Sequence, residues 1–205
     1  MKVSDAQYEV LARWVHAYID EHCILRGVDL PAKVKGERYS WMFYLRRGLF
    51  NAQFNFNIGQ MFYYYLERLD PEFNFQITGL ETASAPMLTA IPMVAKLMGS
   101  DLNAFIVRKD RKKYGLENIV EGIPNDKPAI MFDDLCNSSA SLAECLNKLH
   151  TEGIPVARVA FTIVNKSNVG VHTEERLNTD MYLPPDIQVI SLFTLDDFNL
   201  HSPSH

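Results

Sequence analysis

Apolar positions in the first stretch of the chain recur with a helical period. Tyr8, Leu11, Ala12, Val15 and Ile19 share one stripe, while Asp5, Glu9, Arg13 and Asp20 fall largely elsewhere; this predicts a helix over residues 4–24, ended by Gly27. Residues 31–56 lose the period and are rich in aromatic and basic side chains ("ERYSWMFYLRRGLFNAQFNF"), so they read as irregular. Residues 58–69, with three consecutive tyrosines, predict a mostly buried helix. From residue 75 short apolar runs alternate with amphipathic segments. Strands are predicted at 75–80, 103–109, 128–135, 156–164 and 187–195. One helix is predicted at 84–97, kinked by Pro92 and stopped by Gly99. A second opens on an S-x-x-E capping box, Ser141 to Glu144, and closes at Gly153. The alternation predicts an α/β fold, a mostly parallel sheet flanked by helices. It also predicts one domain over 1–205, with an N-terminal helical and irregular part (1–70) and a sheet core (71–205).

Composition narrows the class. At 205 residues with 47% apolar and 22% charged side chains, the chain can bury a full core. A net charge of −5 argues against a general nucleic-acid binder, which needs a basic face. The three cysteines, Cys23, Cys136 and Cys145, have no paired spacing and suggest a reducing compartment without disulfides. No metal-ligand cluster is evident, and no apolar run approaches the ~18 residues of a membrane span. The expectation is a soluble, cytoplasmic protein.

Candidate chemistry sits at one strand end. In "AIMFDDLCNSSASLAE" four apolar residues run into Asp133 and Asp134, followed by small polar residues and a helix start. Ligands of open α/β sheets collect at the carboxyl ends of strands. Two adjacent acids there can hold sugar hydroxyls or a metal, and the segment Asn137–Ser141 can present N–H groups and hydroxyls to a phosphate. A phosphorylated sugar would satisfy both halves. Upstream, "VRKDRKKYGLENIVEG" places Arg108, Lys109, Arg111, Lys112 and Lys113 together on an otherwise acidic chain. A charge run alone is usually a solvated face, but this one starts at a strand end and could neutralise a charged leaving group.

The acid-pair segment resembles the ribose-phosphate motif of type I phosphoribosyltransferases. The combination of Arg108-Lys109, Lys112, Tyr114-Gly115 and Val120-Glu121-Gly122 with that motif most resembles the orotate phosphoribosyltransferases. The resemblance implies that Asp133 and Asp134 hold the ribose of phosphoribosyl pyrophosphate, and that Asn137, Ser138, Ser139, Ala140 and Ser141 hold its 5′-phosphate. It makes Arg108, Lys109, Lys112 and Tyr114 substrate-binding, with Lys112 a catalytic cation alongside the two acids. Glu81, Thr82, Ala83, Ser84 and Ala85 would form the pyrophosphate loop, and Arg46, Phe54 and Lys166 would face the base. It further implies Mg²⁺ as cofactor, a nitrogenous base such as orotate as acceptor, and a homodimer with shared active sites. Three departures stand out. Ser139 occupies the usual glycine position of the phosphate loop, Asn137 stands for the usual threonine, and Lys166 for the usual base-binding arginine. Phosphoribosyl transfer to another base, and a non-catalytic nucleotide-binding homologue, therefore stay open as alternatives.

Overall fold

The structure is a computed structural model, and it describes residues 2–31, 38–110, 118–166 and 183–200. The central sheet contains β3 (Gln76–Thr78), β6 (Ala129–Cys136), β7 (Val156–Asn165) and β8 (Gln188–Thr194), hydrogen-bonded in that order and all parallel. On the free side of β3 the chain from Asn103 to Val107 runs alongside in parallel, through Ile77 N–H to Asn103 O (2.9 Å) and Val107 N–H to Gly79 O (2.9 Å). Its last two residues form β4 (Ile106–Val107), which also pairs antiparallel with β5 (Val120–Glu121).

Strand alternation sends successive side chains of β6 to opposite faces. Ile130 and Phe132 point into a core shared with α3 (Ala52–Leu69), α4 (Ala85–Met98) and α1 (Asp5–Tyr18). Ala129 and Met131 point into a second core under α5 (Ala140–Thr151). Helices thus cover both faces, and the strand therefore reads as a continuous apolar run. Phe62 of α3 meets Phe132 edge-on at 5.0 Å, and Phe132 stacks on Phe161 of β7 at 5.3 Å. Each such aromatic pair adds about 0.5–1.5 kcal/mol beyond its buried area.

Several predicted elements change. α1 starts from a capping box of Ser4 and Gln7, passes through a π-helical turn (Ile19–Cys23) and enters β1 (Ile24–Pro31) before Gly27. Gly27 instead takes φ +70° within β1. The expected irregular segment contains β2 (Arg38–Phe43), antiparallel to β1, followed by α2 (Arg46–Leu49) and the first turns of α3. Its signal was period two: Trp41 and Phe43 are 6% and 7% exposed, and Met42 between them is 38% exposed. α4 continues through Pro92 to Met98 and ends, as expected, on a left-handed Gly99. The capping box at Ser141 does not form: α5 begins at Ala140 with Ser139 as its N-cap, and Glu144 bonds Lys148 at 2.7 Å instead. No described helix is long and apolar enough to cross a membrane.

Gly79 lies where β3 turns away from β6. A Cβ there would stand 2.4 Å from the Phe132 carbonyl oxygen and 2.5 Å from Ser84 Cβ, so backbone would have to move. Gly79→Ala is expected to lower stability by about 1–3 kcal/mol, the usual cost of overpacking. Urea titration checks this, and an unchanged midpoint would contradict the close approach.

Candidate active site

Chain order and sheet order diverge between β3 and β6. From β3 the chain crosses through α4 to the 103–107 segment on one side, whereas from β6 it crosses through α5 to β7 on the other. The crevice between the carboxyl ends of β3 and β6 is therefore a topological switch point, the place where α/β sheets bind ligands. A cavity of about 310 Å³ opens there. Its walls are Leu80, Glu81, Thr82 and Ala83 after β3, Asp133, Asp134 and Leu135 of β6, Ser141 of α5, Lys109, and the Phe43–Arg46 corner after β2.

The acid pair forms the floor. Asp133 is 9% exposed, and its carboxylate accepts the Asp134 N–H at 2.9 Å. Burial, and then the neighbouring Asp134 charge, push the Asp133 carboxyl up to about 7. Asp134 is raised as well, first by burial, while hydrogen bonds and the Arg46 charge pull the other way. Two carboxyls this close titrate as a pair. Near neutrality the floor can therefore hold a proton, offering a donor as well as acceptors to a diol.

The turn opposite is pinned from behind. Ser84 is fully buried, and its hydroxyl donates to the Leu80 carbonyl at 2.7 Å. That fixes the bend and keeps the Ser84 side chain out of the cavity, so of the expected pyrophosphate loop Glu81, Thr82 and Ala83 line the space. Glu81 also accepts the Lys109 N–H at 2.8 Å, which ties the turn to the root of the cationic segment. Lys109 reaches the cavity; Arg108 turns aside to pair with Glu121 at 3.3 Å. Lys112 and Tyr114 lie outside the described residues.

Beyond β6, Ser139 has φ +57° and ψ +9°, the left-handed region that glycine adopts freely. The position does require the conformation its family-like glycine would supply, and serine holds it at a strain of about 1–2 kcal/mol. Its hydroxyl sits 3.3 Å from Cys136 Sγ. Asn137 is half-buried and Ser138 exposed in the same loop, with Ala140 opening the helix.

On the base side Arg46 lines the cavity and stands over the Tyr44 ring at 5.6 Å. Phe54 differs from the expectation: it is fully buried beneath Gly48, where a Cβ would touch its ring at 2.9 Å, so it packs the core and does not line the cavity. Phe43 and Tyr44 supply the aromatic wall instead, and their position directly before Leu45-Arg46 in the sequence was the available signal. Lys166, at the end of β7, places its ammonium 4.7 Å from the Trp41 ring, and burial lowers its pKa. It docks the β1–β2 ribbon and does not line the described cavity.

A parallel sheet with this switch-point crevice, an acid pair facing a pinned turn, and a helix start behind it has the type I phosphoribosyltransferase fold. A phosphoribosyltransferase from Corynebacterium diphtheriae superposes over 93% of this chain and 99% of its own with a TM-score of 0.68, at 18% identity. No family model matches the chain. Among curated relatives, an orotate phosphoribosyltransferase of Corynebacterium glutamicum (strain R) is 30% identical over 134 residues, 64% of this chain and 68% of that one. Another, from Thermosynechococcus vestitus, is 27% identical over 146 residues, 70% of each chain. The chain belongs to the orotate phosphoribosyltransferase family.

Two predictions follow from the site's electrostatics and strain. The Asp133 carboxyl is raised in the folded chain above its ordinary ~4, so between pH ~4 and ~7 the folded state holds a proton that the unfolded state has released. Stability without ligand should fall as pH rises through that window and level off above it. Asp133→Asn should flatten the profile and raise the melting temperature at pH 8; thermal melts at several pH values check both. Separately, Ser139→Gly should relieve the left-handed strain and raise stability by about 1 kcal/mol, measured by denaturant titration, and a destabilised variant would mean that the serine hydroxyl is needed where it stands.

Proposed function

We propose that this chain transfers ribose 5-phosphate from phosphoribosyl pyrophosphate to orotate, with release of pyrophosphate. The observation that carries the reading is the position of Asp133 and Asp134, buried at the switch-point floor opposite the Glu81–Ala83 turn. The names of the relatives support it.

The ribose hydroxyls would lie on the acid pair, the 5′-phosphate at the Asn137–Ser141 loop, and the pyrophosphate between the Glu81–Ala83 turn and Lys109. Displacement occurs at the anomeric carbon through an oxocarbenium-like transition state. A nitrogen of the base forms the new bond as the bond to the pyrophosphate oxygen breaks and both bonding electrons leave with pyrophosphate. No protein nucleophile is required; positioning and charge carry the rate. The acid pair stabilises the developing positive ring, and Lys109, joined by Lys112 from a partner in a two-fold dimer, balances the departing charge.

The oxygen-only character of the floor suits Mg²⁺, a cation that keeps several waters and binds through one or two carboxylates plus substrate phosphates. Asp133 and Asp134 would face it, and when bound it supplies neutralisation of the pyrophosphate.

The placement of Lys166 against Trp41, in place of the forked arginine expected for a base carboxylate, favours a second reading in which the acceptor is a different base. Following pyrophosphate release from phosphoribosyl pyrophosphate, with Mg²⁺ and a panel of bases, decides between the two. Orotate should give the highest kcat/KM. Asp134→Asn should lower turnover by roughly 10²–10³ while the fold persists. Near-normal turnover in that variant, or release with no base at all, would remove the assignment.

A further inference from the structure

Lys148 lies about two helical turns beyond Ser141 on α5, outside the cavity lining, and has no place in the chemistry above. Its ammonium makes three hydrogen bonds and has three hydrogens to give: to Glu144 Oε1 at 2.7 Å, to the Arg108 carbonyl at 3.0 Å, and to the Lys109 carbonyl. An i, i+4 Glu–Lys pair on a helix is ordinarily a surface ornament of a few tenths of a kcal/mol. Here both side chains are largely covered, 30% and 21% exposed, and two of the three bonds leave the helix for a segment some forty residues earlier in the chain. A helix salt bridge alone has no reason to do that.

The target of those bonds is the peptide on either side of Lys109. Its N–H is held by Glu81 at 2.8 Å, its C=O by Lys148, and the preceding residue is held by Arg108 N–H to Ile119 O at 2.8 Å and by the Arg108–Glu121 pair. Lys109 is thereby gripped between the turn after β3 and helix α5. The residue so fixed is the described cation of the 108–113 run that lines the cavity.

We infer that Lys148, oriented by Glu144, is a positioning residue that sets the main chain of Lys109, and with it the cation presented to the pyrophosphate, by joining α5 to the root of the cationic segment. The catalytic half of this inference rests on the reading of the site given above; the mechanical half does not. Loss of the ammonium would leave two carbonyls without their donor and Glu144 without its counter-charge. Lys109 would then keep its anchor on the Glu81 side only. A misplacement of about an ångström in such a cation can cost up to about 10²-fold in rate.

The test uses the full chain with Lys148→Met, Lys148→Arg and Glu144→Gln, and two readouts: amide hydrogen exchange at Lys109, and steady-state pyrophosphate release. In Lys148→Met, exchange at Lys109 should accelerate at least about tenfold. Both kcat and kcat/KM should fall together by about 10- to 100-fold, the signature of an interaction used in the transition state. Lys148→Arg, which can still donate to both carbonyls, should recover most of the protection and part of the rate. If Lys148→Met melts like wild type and neither exchange nor kcat changes, the inference is overturned. If Lys148→Met does not fold, Glu144→Gln decides by the same two readouts: faster exchange at Lys109 supports the inference and wild-type exchange overturns it. If the wild-type chain transfers no phosphoribosyl group, the proposed function fails. Exchange at Lys109 then still decides the clamp.

Discussion

Two carboxyl groups buried side by side set the terms for everything around them. Asp133 and Asp134 repel one another and have lost most of their water, so without help the strand end would not fold with both ionised. The protein compensates in part: burial and the neighbouring charge favour a proton at Asp133 near neutrality, the Asp134 N–H turns onto its carboxylate, and the Arg46 charge acts on Asp134. Each is weaker than a direct, fully formed ion pair would be. A floor satisfied by a tight internal salt bridge would have little affinity left for a diol or a cation. The incomplete compensation is what leaves the site able to bind.

Such a floor is sustainable because its supports are rigid. β6 is central in the sheet, with β3 on one side and β7 on the other, and its alternate residues are buried in two separate cores. The Phe62–Phe132–Phe161 contacts sit directly beneath Asp133 in sequence and register. Several large fully buried side chains, each contributing about 1.5–3 kcal/mol, outweigh a left-handed serine and a desolvated acid together costing a few kcal/mol. Gly79 works in the same direction: the absence of a side chain lets the turn after β3 close onto the Phe132 carbonyl, which brings Glu81–Ala83 opposite the acids.

What could be read from the sequence divides along physical lines. The core sheet was legible because parallel strands buried on both faces leave unbroken apolar runs, as in residues 129–132, and because the acid pair breaks that run abruptly. Ser139 was legible as the strained position because its neighbours carried the motif. The segment 31–56 was not, since its strand is only six residues long, Arg38–Phe43, and the alternation of Trp41, Met42 and Phe43 is hidden in a longer run of aromatic and basic residues. Phe54 was misplaced because an aromatic residue beside a basic cluster reads the same whether it faces a ligand or the core; only the contact with Gly48 separates the two. The Ser141–Glu144 capping box satisfied the pattern but not the register: the N-cap is Ser139, two residues earlier, and Glu144 serves Lys148. No local pattern could have revealed that second role, because the partners, Arg108 and Lys109, lie far away in the chain.

The two walls of the cavity are therefore held by different kinds of force. The acids and the turn opposite them grow from sheet ends, where main-chain hydrogen bonds and two cores fix position. Phe43, Tyr44 and Arg46 belong to or follow a two-stranded ribbon, held by Ile24, Trp41 and Phe43 in the larger core, by Trp41 against Lys166, and by Phe43 against Phe198 after β8. These are side-chain contacts, whereas Asp133 and Gly79 belong to the main chain at the ends of β6 and β3, with a core on either face. Lys166, the departure from the family pattern at an expected base-side position, sits at the end of β7 and meets that ribbon through Trp41. The acid pair and the Glu81–Ala83 turn fall on the sheet side, as does Ser139, whose backbone keeps the left-handed conformation that glycine adopts freely.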